Sequence, residues 1–276
     1  MKNLKIFTLG LLLFLIQLSL FSQITISPPY VSIDGKSGVG NIFLTNNSAL
    51  AQECEISFMF GYPASDSAGN LVMNYTDSVA YKQFALDPVV KAFPRSFVLQ
   101  GKQQRTIRVQ VKPQPGMKDG FYFTRAKILA KQQTPEVAKQ GTEAISTKIT
   151  YSFEQVIPAF YRRGKLTTGL KIDAIKTFQK DSILSIITQL DRLGDAPFIG
   201  SILSELKDEK GNVLATNKTN TTAYFNVLRK VEMNIAKVPA GSYKLEITFE
   251  TKRNDMAIDD LIQAPSISET IPVTIK

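Results

Sequence analysis

The chain has 276 residues, 43% of them hydrophobic and 21% charged, which is enough apolar material for one or two packed domains. It contains no histidine and one cysteine, which excludes Ser-His-Asp and Cys-His catalysis, zinc sites built from His and Cys and an intrachain disulfide. The formal charge of +9 comes from scattered basic residues, so it reads as solvated surface and not as a nucleic-acid footprint.

Residues 1–22 form a separate unit. Lys2 and Lys5 precede the continuous apolar run "IFTLGLLLFLIQLSLF", and Ser22 supplies a small residue for cleavage. This pattern is that of a secretory signal peptide. The alternative is an uncleaved anchor, but the run falls short of the roughly 20 apolar residues a spanning helix needs. Without Lys2 and Lys5 the formal charge falls from +9 to +7. No cysteine follows the run to carry a lipid anchor, and no later segment has the length and apolarity to insert in a membrane.

From residue 24 onward the dominant period is two, the period of half-buried strands. In "CEISFMF", Cys54, Ile56, Phe58 and Phe60 share one face, and Cys54 reads as a small buried hydrophobe. In "TIRVQVK", Ile107, Val109 and Val111 oppose Arg108 and Gln110. The polar stretch "KQQTPEVAKQGTEA" (131–144) reads as a long loop. After it, Ile145, Thr147, Ile149, Tyr151 and Phe153 fall on one face of an extended strand, with Ser146, Lys148, Thr150 and Ser152 on the other. Pro158 cannot donate to a ladder, so pairing is expected to stop or bulge there. Gly164, in "RRGKL", marks a flexible boundary between two halves.

In the second half, "PFIGSILSELKDEKG" reads as a strand entering a hairpin at Gly211, and "SYKLEITFE" sets Tyr243, Leu245, Ile247 and Phe249 against Lys244, Glu246, Thr248 and Glu250. Turn signals at "IDGKSG" (33–38), "LQGKQ" (99–103), "DEKGN" (208–212) and "PAGS" (239–242) separate the strands. One-sided strands joined by short turns predict an all-β protein of two tandem immunoglobulin-like sandwiches, residues 23–163 and 164–276. "GKSGVG" lacks the Walker spacing. The aspartates of "NDMAIDD" lack EF-hand spacing. "DSA", "DSV" and "DSI" resemble a short O-glycosylation pattern but are equally ordinary turn residues. No cofactor and no metal site is expected.

Several motifs, in order, are similar to the periplasmic pilus-assembly chaperones, the PapD-like family. "IDGKSGVGNIFLTNNS" (33–48) resembles its strand, turn, strand and Asn-containing end. "FPRSFVLQGKQQRTIRV" (93–109) resembles its proline, hydrophobic, turn and arginine segment, in which Arg108 matches a family arginine. "FYFTRAKILA" (121–130) resembles its aromatic strand, and "IPAFYRR" (157–163) the sequence closing its first domain. The resemblance covers roughly residues 24–163 and makes the chain a divergent member.

The resemblance implies a non-enzymatic chaperone of the periplasm whose partner is a pilin-like subunit with an incomplete β-sandwich. Ile145, Thr147, Ile149, Tyr151 and Phe153 would then be the donor strand that completes the subunit by β-augmentation. Arg162 matches the family arginine that fixes the angle between domains, whereas Arg163 has no such match. The family's carboxylate-anchoring arginine and lysine fall here on Tyr30 and Pro158, neither of which can form that contact. Lys148, Arg162 and Arg163 are the basic residues nearby in sequence that could replace them in the cleft. The competing reading is an exported, non-enzymatic sandwich module of a surface or secretion complex, with no strand to lend; a secreted hydrolase is disfavoured by the missing histidine.

Overall fold

Period-two burial governs nearly every element of the computed structural model, which describes residues 24–133 and 152–276. Among these residues eighteen strands, β1–β18 in chain order, carry the fold. The first sandwich has a sheet ordered β1 (Ile24–Ser27), β3 (Val39–Asn46), β9 (Gln104–Val111), β7 (Val90–Phe93). Its other sheet is ordered β2 (Val31–Ile33), β11 (Ser152–Arg163), β10 (Gly120–Gln132), β4 (Gln52–Met59), β8 (Ser96–Leu99). β1 and β2 are nearly consecutive yet join different sheets, with Pro28 and Pro29 between them. Prolines lack the N–H that would continue a ladder, so the chain changes sheet there. The alternating residues Ile42, Leu44, Ile56, Ile107, Val109 and Ile128 meet between the sheets as the first core. Cys54 belongs to that core, and burial pushes its thiol up to about 11.

The second sandwich pairs β12 (Thr168–Lys180), β13 (Ile183–Gly194) and β16 (Val227–Asn234) against β15 (Val213–Ala223), β14 (Phe198–Lys207), β17 (Gly241–Glu250) and β18 (Ile267–Ile275). Leu245, Ile247 and Phe249 of β17 are buried, as the alternation requires. β14 leads through the turn at Asp208–Asn212 into β15, and Gly211 takes φ +86° there, a value that glycine alone adopts without strain. Among the described residues no helix is long and apolar enough to cross a membrane.

Two local features differ from the sequence reading. A seven-residue helix, α1 (Ser78–Phe84), follows a hairpin of β5 (Tyr62–Ser65) and β6 (Leu71–Asn74). Asp77 caps it, accepting from the N–H groups of Val79 and Ala80 at 3.0 and 2.9 Å, so "DSV" is a helix start. The second difference is at Pro158. Pairing neither stops nor bulges there: the β10–β11 register runs unbroken from Gly120↔Arg163 to Lys131↔Ser152, with Arg125 opposite Pro158. A proline fits when its nitrogen faces away from the ladder, and on that other side β2 begins only at Ala159.

The "LTNNS" segment ends in a buried clamp. Asn46 donates from Nδ2 to the carbonyls of Leu50, Leu99 and Gln100 at 2.8, 3.0 and 3.1 Å, and its Oδ1 accepts from the Ser48 N–H at 3.0 Å. One side chain thus ties the end of β3 to the turn between β8 and β9. Asn46→Ala removes the side chain that joins these carbonyls to the end of β3, and urea unfolding should show a loss of about 1–3 kcal/mol; an unchanged midpoint would refute the clamp.

Candidate functional site

β11 does three jobs along twelve residues, and the register shows how. Its odd-numbered residues Ile157, Ala159 and Tyr161 point into the first core. Its even-numbered Phe160 points the other way, into a cluster shared with the second sandwich. Toward the N-terminal end Glu154 and Val156, on that even face, are exposed, Val156 at 38%. β10 repeats the pattern. Ala126, Ile128 and Ala130 face the first core, Phe121 and Phe123 face the second sandwich, and farther along the same face Lys127 pairs with Glu154 at 2.8 Å.

One edge of β11 is paired with β10 over the whole strand. The other meets β2 in parallel at Ala159, Phe160 and Tyr161. Over Ser152–Pro158 that edge has no strand partner among the described residues. Phe153 lies opposite Ala130, half-buried, on the face that continues the first core. Of the other residues on its face, Ile145, Thr147, Ile149 and Tyr151 lie outside the described residues, as does Lys148.

The two sandwiches meet through rings. Phe160 stacks between Tyr30 (5.9 Å between centroids, 8° between planes) and Phe121 (5.5 Å, 23°). Phe123 meets Tyr224 edge-on at 4.6 Å and stacks on Phe60 at 5.3 Å. α1 packs Ala80 into the same cluster. Tyr30 donates from its hydroxyl to Asp260 Oδ2 at 2.8 Å and accepts from the Ala257 N–H at 3.1 Å. Arg162 donates to the Asp259 carbonyl at 3.0 Å and lies 3.6 Å from the Asp260 carboxylate. It therefore bridges the end of β11 to a short 3-10 turn (Ile258–Asp260) of the second sandwich. Arg163 turns instead to Asp119, Nε to Oδ1 at 3.3 Å. Gly164 follows with φ +79°, where a Cβ would collide with the Asp119 carboxylate.

A cavity of about 310 Å³ opens beside the rings, lined by Tyr30 and Pro158 together with Arg125, Arg229, Arg253 and Asp255. Arg253 and Asp255 pair bidentately at 2.8 and 2.5 Å. Arg229 lies in no motif that marks it in the sequence. For Arg125 a signal existed: it is a charged residue on the aromatic face of "FYFTR". Two of the three aspartates of "NDMAIDD" have side-chain partners, Asp255 with Arg253 and Asn220 and Asp260 with Arg162 and Tyr30. Among the described residues no three His, Cys, Asp or Glu side chains converge as metal ligands.

No protein-family model matches this sequence, and no curated protein does. Among solved structures the chain is similar to periplasmic pilus-assembly chaperones over most of its length. It is 12% identical to the YadV chaperone, with a TM-score of 0.48 over 91% of this chain and 100% of that one. With a chain of the CsuC–CsuE chaperone–tip subunit pre-assembly complex of Acinetobacter baumannii it shares 14% identity and a TM-score of 0.44, over 91% and 98% of the two chains. For the Pseudomonas aeruginosa CupB2 chaperone the values are 10% and 0.42, over 89% and 98%.

The ring cluster carries a pH signature. Burial holds the phenols of Tyr30, Tyr62 and Tyr224 above the ordinary phenol value, and the Asp77 carboxylate beside Tyr62 adds to the effect there. The folded state thus keeps these protons after the unfolded chain has lost them. Their contribution is fully present below about pH 10 and is lost as pH rises from there through the folded values. Urea midpoints should stay level between about pH 7 and about pH 9 and fall above about pH 10, less steeply in Tyr62→Phe and Tyr224→Phe. An identical alkaline fall in both variants would contradict this account.

Proposed function

We propose that this chain is a non-enzymatic periplasmic chaperone that holds a pilus or surface-assembly subunit by donor-strand complementation, using the first half of β11 and the residues leading into it. The observation that carries this reading is the outward edge of β11, without a strand partner over Ser152–Pro158 among the described residues. An edge of that kind offers main-chain N–H and C=O groups to an added strand. The face assignment supports it as well. Phe153 continues the face of Ile157 and Ala159, so a partner's core placed against it would extend the first sandwich's own core.

Ile145, Ile149 and Tyr151, on the same face by alternation, would supply the remaining apolar side chains. Burying three such groups is worth about 1.5–3 kcal/mol each, from which the costs of association are subtracted. The partner is then a secreted β-protein lacking one strand, and export of the chaperone relies on residues 1–22 as a signal peptide. Arg162, through Asp259 and Asp260, would help fix how the two sandwiches sit.

The test is co-purification with a secreted, incomplete β-sandwich encoded beside this chain. Ile149→Asp should abolish capture and Ser146→Asp should not. A second variant addresses the main chain. Period-two geometry puts the Val156 nitrogen on the same outward side as that of Pro158, so Val156→Pro should leave the fold intact and weaken capture. Undiminished capture by Ile149→Asp and Val156→Pro would point instead to an exported sandwich module that binds without lending a strand. Equal loss from Ile149→Asp and Ser146→Asp, with the fold intact, would do the same.

A further inference from the structure

The cavity between the sandwiches holds two guanidinium groups with no acid to answer them. Arg125, from β10, is 9% exposed; it donates from Nε to the Gly61 carbonyl at 3.3 Å and weakly to the Met73 sulfur at 3.7 Å. Arg229, from β16, is also 9% exposed; it donates to the Asn220 carbonyl at 3.3 Å, and its Nε is buried without a partner. Neither meets a carboxylate among the described residues. The one acid in the cavity wall, Asp255, is already neutralised by Arg253. Beside them the Thr221 hydroxyl, 2% exposed, also lacks a partner.

An isolated buried charge is strongly unfavourable, and proteins resolve it by pairing. Each guanidinium has five N–H donors in a rigid fork matched to carboxylate or phosphate oxygens. The apolar walls contributed by Pro63, Met73, Ile199 and Tyr224 lower the local dielectric, which strengthens any such contact. Burial also holds the Arg229 guanidinium below the usual arginine range, the mark of a cation lacking a counter-charge.

We propose that this cavity is an oxyanion-binding site, in which Arg125 of the first sandwich and Arg229 of the second together receive one small ligand bearing carboxylate or phosphate groups, with Thr221 as a further donor. Two uncompensated positive charges favour a dianion over a monoanion. The residues differ from Lys148, Arg162 and Arg163, and the site does not depend on strand donation by β11.

Calorimetric titration of the purified protein tests it, with sodium phosphate and sodium succinate as probes, uncharged succinamide as control, and ionic strength held constant with chloride. Saturable binding of at least one dianion is expected, with none for succinamide. A preference for succinate assigns a carboxylate ligand and a preference for phosphate a phosphoryl one. Arg125→Gln and Arg229→Gln should each weaken binding about tenfold or more. Arg125→Lys and Arg229→Lys, which keep the charge and lose the fork, should fall between, and they decide the matter if a Gln variant fails to fold. No saturable binding of either dianion, or unchanged affinity in the folded variants, overturns the proposal. Lost anion binding with subunit capture intact, or the reverse, separates this site from the strand-lending edge.

Discussion

Two-sided burial of β10 and β11 is the constraint on which the molecule is organised. A strand at a sandwich surface normally gives one face to its core and the other to water. Here Phe121, Phe123 and Phe160 sit on what would be the solvent face, and Tyr224, Ile199 and Leu261 of the second sandwich cover them. Aromatic pairs add about 0.5–1.5 kcal/mol each beyond the area they bury, so the contacts of Phe121 and Phe123 with Tyr224 and of Tyr62 and Phe84 with Phe225 hold the halves together. Where the second sandwich ends, the same face turns to Lys127 and Glu154. The rest of β11 then has one edge without a strand partner among the described residues, and that division of labour makes a single strand core, interface and candidate binding surface at once.

Polar contacts refine this junction. Tyr30, just before β2, and Arg162, near the end of β11, converge on Asp260. Arg162 meets an acid across the junction. Tyr30 contributes a phenol that stacks on Phe160 and bonds across to the second sandwich. The cavity beside them is lined by Arg125 and Arg229, which meet backbone carbonyls and no carboxylate among the described residues.

Alternation made most of the fold legible. β9 and β17 bury the residues their period requires, and Asp208 and Gly211 turn the hairpin where the sequence puts it. The departures share a physical origin in tertiary context. "FYFTRA" has both faces buried along its length, so nothing local says which ring meets which half of the chain. Tyr224 and Arg229 reach the junction from about a hundred residues away, a distance no motif spans. α1 is too short to show a helical period, and only its Asp77 cap was available as a signal. Pro158 suggests a stop or bulge because proline lacks a donor; whether that matters depends on which side the nitrogen faces, and a sheet's edge is a three-dimensional property.

Cys54 offers a last consequence. Its side chain belongs to the first core, and the same burial suppresses the thiolate that oxidants and electrophiles attack. In an oxidising compartment such a side chain is chemically silent for as long as the first sandwich stays closed. Exposure to alkylating or disulfide-forming reagents would mark the moments when it opens, so this one sulfur is a built-in timer for excursions of the N-terminal half out of its native state.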